Sequence, residues 1–442
     1  MRYRYRSDDE FKIGEHSKIP KSWIQSKSQY YFDVFAGGTP STNEPSYWDG
    51  SIPWINSGEV QNGLVKNISR YITDKGLKES STKLIPEDTV LLAMTGATCG
   101  NVGYLTFEST ANQSVMAFVP RKKFISKFLY YYLMCQKQQI EYYKTGGAQG
   151  GINVDNGKKL YINIPQIKEQ EKIANFLDEK TSQFDLIISK KEKLIERLEE
   201  SKKSLISEVA TGKVKVVKTD DGYELVKRSS EEMKDSGVEW LGEIPKDWDL
   251  KAIKYLFQLR NERNYKEMKD VQLLSLFTSL GVMKQGEVEA RGNKVRTVED
   301  YKEVYPNDIV VNIILAWMGA IGMSEHRGVI SPAYDIYKPI NNNIVSKYYH
   351  YLFRTPRFSG ECYKKGRGIM DMRWRTYSDE FKSIIVTSPK VEEKNNIVKC
   401  LDEKINSIDN LIKSTQKQIE KLKEAKQSLI SEAVTGKIEI LD

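Results

Sequence analysis

The residues that could do covalent chemistry are few in this chain and poorly spaced for it. Its three histidines, His16, His326 and His350, lie far apart and form no HExxH pair, so no histidine metal cluster is expected. The four cysteines, Cys99, Cys135, Cys362 and Cys400, contain no CxxC. They are expected to be reduced thiols of a cytoplasmic protein. The stretch TGGAQGGINVDNGKK, Thr145–Lys159, resembles a phosphate loop, but five residues separate Gly151 from Gly157. Lys158 is also followed by Lys159 where a phosphate loop needs Ser or Thr. There is no GxSxG, no strand-adjacent GxGxxG, no (Asn/Asp)-Pro-Pro-aromatic and no PD…(D/E)xK. The expectation is a chain that is not an enzyme and holds no metal or cofactor of its own.

Residue types that read nucleic-acid bases are better represented. Arg and Lys pair with guanine edges, and Asn and Gln with adenine edges. In the first half they fall in glycine- and hydroxyl-rich segments: Thr39, Ser41 and Asn43; Asn56; Thr95, Thr98 and Asn101; Asn112 and Gln113; Gln149 and Asn153. In the second half they are more basic: Arg260, Asn261, Arg263 and Asn264; Arg291, Lys294 and Arg296; Arg367, Arg373 and Arg375. The net charge of +8 is placed accordingly. Ile19–Pro165 carries 15 basic against 11 acidic residues, and Pro245–Pro389 carries 23 against 17. Gln166–Lys213 and Lys390–Asp442 each balance at ten and ten. Excess positive charge on the two globular segments suits a polyanion, whose phosphates supply sequence-independent affinity.

The elements that must position these residues announce themselves by repetition. Ile173–Lys213 and Ile397–Lys437 align without a gap, sharing LDEK, SLISE and TGK. A repeat of that span implies a chain of two similar halves. Each copy carries an apolar seam in steps of three and four. In the first copy the seam includes Leu177, Phe184, Ile188, Ile195, Leu198 and Leu205. In the second it includes Leu401, Ile405, Ile408, Ile412, Ile419, Leu422 and Leu429. Lys191 and Lys202, with Thr415 and Lys426, are polar seam positions suited to fixing register. Gly212 and Gly436 follow the last periodic residues as helix stops. Each helix should run about 60 Å, and the two should pair antiparallel, placing the halves at opposite ends of a rod about a pseudo-twofold axis. No apolar run is long enough for a membrane span, and MRYRYRSDDEF is no signal peptide.

The globular segments share an order of features. Both open on IPKxW, at Ile19 and Ile244, and both place Pro-x-Asp before a strand-like run, PEDTVLLAM and PNDIVVNII. Both continue through a glycine turn and a tyrosine-rich helical segment, SKFLYYYL and SKYYHYLF. Both close on a glycine-rich stretch, a strand and a proline. The fold class expected is α/β (α+β), two similar domains each followed by a long helix. The boundaries drawn are 1–168 for the first domain, 169–213 for its helix, 214–243 for a polar linker, 244–392 for the second domain and 393–442 for the second helix and tail.

GGTPST with YWDGSIPWINSGEV, running from Gly37 to Val60, resembles the opening of a target-recognition domain of a type I restriction–modification specificity subunit. IPQIKEQEKIANFLDEK, Ile164–Lys180, resembles that family's junction into its spacer helix, as does VTSPKVEEKNNIVKCLDEK, Val386–Lys404. The second domain departs from the family opening, with FQLRNERN where the first has FAGGTPSTN. The resemblance covers the whole chain. It implies a subunit that binds double-stranded DNA, each domain reading one half of a bipartite asymmetric site. It also implies that the helix pair sets the gap and docks two methyltransferase subunits, with two motor-nuclease subunits joining for restriction. S-adenosylmethionine, ATP and magnesium would then belong to those partners.

Overall fold

The computed structural model describes residues 2–146, 150–278, 280–287, 297–368 and 374–441. The chain divides into two compact units, Met1–Glu192 with Gln416–Asp442, and Lys193–Thr415.

The first unit is built on a five-stranded sheet. Its order is Phe32–Ala36, Val115–Pro120, Thr89–Ala93, Val102–Leu105 and Gly63–Leu64, antiparallel except for the last pair. Thr89–Ala93 is buried along its whole length, which explains its unbroken apolar run. Alternate side chains serve two cores: Val90 and Leu92 face one with Phe32, Met116 and Phe118. Leu91 and Ala93 face another with Val115, Ala117 and Leu105. Asp88 enters this strand at φ 57°, a left-handed position that Asp tolerates. A second sheet pairs Trp48–Ile55 with Thr110–Ala111 and Arg70–Ile72. The tyrosine-rich helix Ser126–Met134 buries Phe128, Leu129 and Tyr132 in the larger core.

The second unit repeats the plan with four antiparallel strands, Phe257–Leu259, Tyr334–Pro339, Ile309–Asn312 and Ile321–Met323. Ile309 and Val311 face one core while Val310 faces the other. The helix Ser346–Leu352 is the counterpart of Ser126–Met134.

Two helices of 44 residues, Ile167–Ala210 and Val391–Val434, serve both units. In the first unit the start of one packs with the end of the other, so Ile173, Phe176 and Leu177 share a core with Ile430, Ala433 and Val434. The second unit has the converse, Val209 and Ala210 with Ile397, Val398 and Leu401. The pairing is antiparallel in each. Lys426 Nζ reaches Asp185 at 2.6 Å, and in the second unit Lys202 Nζ reaches Asp409 at 2.6 Å. These two contacts are the same contact with the helices exchanged. Lys191 meets Gln418 at 2.6 Å, while Thr415 turns its hydroxyl onto Leu411 of its own helix at 2.8 Å. Every seam position named above is buried or half-buried, and most residues between them are exposed. Many are only half-buried because a two-helix seam is open at its sides.

The segment expected as a polar linker is structured. Val214–Thr219 and Gly222–Lys227 form an antiparallel hairpin, and Met233–Asp235 pairs with Glu243–Pro245. Between them Ser229 and Glu232 make a reciprocal capping box. The first unit does the same with the two ends of the chain. Tyr3–Tyr5 pairs with Ile438–Ile440, Ser7 and Glu10 make the capping box, and Phe11–Ile13 pairs with Lys18–Pro20. Polarity made the segment look like a tether; it reflects small surface elements instead.

Candidate nucleic-acid interface

In the first unit, backbone hydrogen bonds gather loops distant in sequence at one end of the central sheet. Gly37 and Gly38 donate to Val115 and Ala111, Asn112 donates to Ile55, Met94 to Ser114, and Ile152 to Met94. A Cβ on Gly37 would lie 2.1 Å from the Ala111 carbonyl, and one on Gly151 2.4 Å from that of Met94. Only glycine permits approaches this close, which accounts for the glycine-rich character of these loops. The cluster brings together Thr39, Asn56, Thr95, Asn112, Gln113 and Asn153. Thr39 is hydrogen-bonded to Gln113 across it.

These side chains divide by what already holds them. Asn56 accepts from Gly58, Asn153 from Asn156 and Asn112 from Ser114, so their carbonyls build turns and caps. Asn101 donates to Val60 and accepts from Asn62, and Thr98 sits over Thr95. Ser41, Asn43, Thr95 and Gln113 are exposed. Gln149 lies outside the described residues.

The second unit has a corresponding end. Thr376 donates to Ile313, as Ile152 does to Met94. Arg367 and Arg375 exchange both backbone hydrogen bonds, as Thr145 and Gly151 do in the first unit. The Arg367 side chain lies over Tyr377 and bonds Glu380 at 2.7 Å, and Arg375 is exposed. Beside them Trp374 stacks on Tyr363 at 4.9 Å between ring centroids. Asn261 is exposed, and the exposed Arg263 holds the Asp300 carbonyl at 2.7 Å. Arg291, Lys294, Arg296 and Arg373 lie outside the described residues.

Two expected base contacts are turned into the fold instead. Arg260 is paired with Asp308 at 2.9 Å and with Glu262 at 2.7 Å. Burial pushes the Asp308 carboxyl above its ordinary range, against the pull of Arg260 and the Tyr305 amide. A buried carboxylate needs a partner, and Arg260 is that partner. Asn264 is buried, donating to the carbonyls of Lys266 and Val298.

One residue not singled out from sequence stands at the first cluster. Arg70 lies over Trp48, its Cζ 3.8 Å from the ring centroid. Its signal, one of two arginines between Ile19 and Pro165, becomes informative only when the sheet pairs Arg70 with Trp54.

Burial mutes His350, Cys135, Cys362 and Cys400 as acid–base or nucleophilic groups. It lowers the His350 pKa to about 3, with Arg354 and Lys347 adding to the effect, and Nδ1 accepts the Met323 amide at 3.1 Å. Burial pushes the Cys135 thiol up to about 12 and also raises Cys362 and Cys400. Among the described residues no group of three or more His, Cys, Asp or Glu is placed to hold a metal ion. No described helix is long and apolar enough to cross a membrane.

The fold and site thus define a duplicated protein, each half carrying a loop cluster at one sheet end and a long helix. Comparison with known proteins shows what this class resembles. The family model of the type I restriction modification DNA specificity domain matches residues 20–199. The type I restriction enzyme MjaIX specificity subunit of Methanocaldococcus jannaschii is 28% identical, covering 99% of this chain and 98% of that one. The EcoKI specificity subunit of Escherichia coli is 20% identical over 95% of this chain and 90% of its own. Among solved structures, the HsdS subunit from Thermoanaerobacter tengcongensis superposes with a TM-score of 0.54 at 12% identity, over 96% of this chain and 99% of that one. A chain from a structure concerned with assembly and conformational transition of a type I R-M system gives 0.69 at 12% identity, over 95% and 99%. Along its whole length the chain is thus similar to type I restriction enzyme specificity subunits, and residues 20–199 carry their DNA specificity domain.

Proposed function

We propose that this chain is the non-catalytic DNA-reading subunit of a type I restriction–modification complex. Each globular domain reads one half of a bipartite asymmetric site in double-stranded DNA, and the helix pair sets the gap between them. Two methyltransferase subunits dock on the helix pair, and two motor-nuclease subunits join for restriction. S-adenosylmethionine, ATP and magnesium act in those partners, within the cytoplasm. One observation carries this reading: the scaffold contacts recur in both units while the side chains of the loop clusters differ. A protein reading two different half-sites needs a constant frame with variable tips. The net positive charge of both globular segments supports a polyanion. His350, Cys135 and Cys362, held out of their reactive forms by burial, support placing catalysis in the partners. Docking is supported by an apolar groove of about 490 Å³ on the first unit, lined by Tyr3, Phe176, Phe184 and Leu429.

Genome-wide mapping of adenine methylation, with and without this gene, tests the reading. Loss of one split motif on deletion is expected. A methylation pattern indifferent to deletion in a strain expressing the chain would defeat it.

A further inference from the structure

Arg70 and Arg121 are the two arginines between Ile19 and Pro165. Arg121 is committed elsewhere: its side chain bonds Asp33 at 3.0 Å and its amide bonds Tyr31, at the sheet end away from the loop cluster. Arg70 stands at the cluster. Its guanidinium lies 3.8 Å from the ring centroid of Trp48 and 5.5 Å from that of Trp54. The two indoles meet edge to face at 5.2 Å, and both are buried. Each is tied to the Gly37–Asn43 segment, Trp48 Nε1 donating to Ser41 and Trp54 Nε1 to Gly38, both at 3.0 Å. Arg70 itself is exposed, and none of its side-chain donors meets an acceptor among the described residues.

We propose that Arg70 reads a guanine in the half-site of the first domain, its guanidinium edge donating to O6 and N7. The proposal rests on the DNA-reading function above. Stacking on an indole fixes the plane of the guanidinium and leaves its N–H fork facing outward. Two donors in one fixed plane match the two acceptors of a guanine edge in the major groove. A phosphate can also accept this fork, but such a contact would weaken all sites alike, whereas a guanine contact changes a single base position. The exposed neighbours, Ser41, Asn43 and Gln113, are likewise suited to base edges.

The test is methylation mapping in the host carrying Arg70→Ala, Arg70→Lys or Arg121→Ala, with chain abundance checked by blotting. The wild type should give one gene-dependent split motif, and Arg121→Ala the same motif. Arg70→Ala should relax a single G·C position in one half-site, with discrimination there falling about 5- to 150-fold, and the other half unchanged. Arg70→Lys keeps the charge without the fork and should relax the same position. An unchanged motif in Arg70→Ala at normal abundance overturns the proposal while leaving the DNA-reading function intact. So does a uniform loss of methylation at every site that Arg70→Lys restores, which marks a phosphate contact. Absence of any gene-dependent motif in the wild type overturns the underlying function as well.

Discussion

At the residue scale, a carboxylate in the first turn of each long helix ties three pieces of its unit together. Glu169 accepts from Arg6 at 2.6 Å and from Trp23 Nε1 at 3.0 Å. Glu393 accepts from Arg228 at 2.8 Å and from Trp248 Nε1 at 3.0 Å. The side chains of Arg6 and Arg228 are only 6% and 5% exposed, so each needs its carboxylate. Both glutamates also sit favourably at a helix N-terminus. Arg6 keeps the Gly436 and Ile438 carbonyls as acceptors, so Glu169→Ala should lower stability by about 2 kcal/mol, the cost of losing charge-assisted hydrogen bonds to Arg6 and Trp23. Hydrogen exchange should show protection lost around Trp23 and kept around Trp248. An unchanged urea midpoint would rule out this role. IPKxW and the first helical turn were visible in both halves of the sequence; their bond across some 146 positions was not. Likewise the types suited to base reading were legible, but which of them the fold consumes was not. Arg260 is claimed by Asp308, 48 positions away, and Arg70 acquires meaning only through the packing of Trp48 and Trp54.

At the element scale, the helix pair was the most legible part, because a seam in steps of three and four is a property of the sequence itself. Its partner was legible too, since an equal seam exists in the same chain. The hairpin and short pairs of Val214–Pro245 were not, because strands of three to six residues on a surface carry little periodicity. The register is marked by Lys426 with Asp185 and by Lys202 with Asp409, while Lys191 meets Gln418. Exposed pairs such as these are each worth at most about 1 kcal/mol, so they select register more than they hold the helices together. A seven-residue insertion after Ile195 keeps the heptad phase but displaces Lys202 from Asp409. On the proposed function, methylation mapping should then show a motif with an altered gap or no motif. An unaltered gap in a stably expressed insertion variant would remove the ruler role.

At the scale of the whole molecule, the repeated contacts separate what holds a domain in place from what its loops present. The tyrosine-rich helix of the first unit reaches the long helix through Tyr131 and Lys127, both on Asp178. In the second unit Tyr351 and Lys347 meet Asp402 in the same way. Glycines end both long helices at φ 78° and 77°, and a Cβ there would meet a proline of the IPKxW segment at 2.6 or 2.4 Å. Gly212 faces Pro245 and Gly436 faces Pro20. None of these attachments lies in the loop clusters. A domain that carries IPKxW and the Lys–Tyr pair of its helix therefore brings its attachments with it. Exchanging residues 19–165 for the matching segment of another specificity subunit should alter one half of the methylated motif and spare the other half. The attachments are conserved in kind between the two halves of this chain, so the hybrid should still assemble. Mapping the hybrid's motif decides the matter: a change in both halves would mean that the domains do not read independently. The constant frame would then be transmitting one domain's identity to the other, contrary to the separation of attachment from loop cluster seen in each unit.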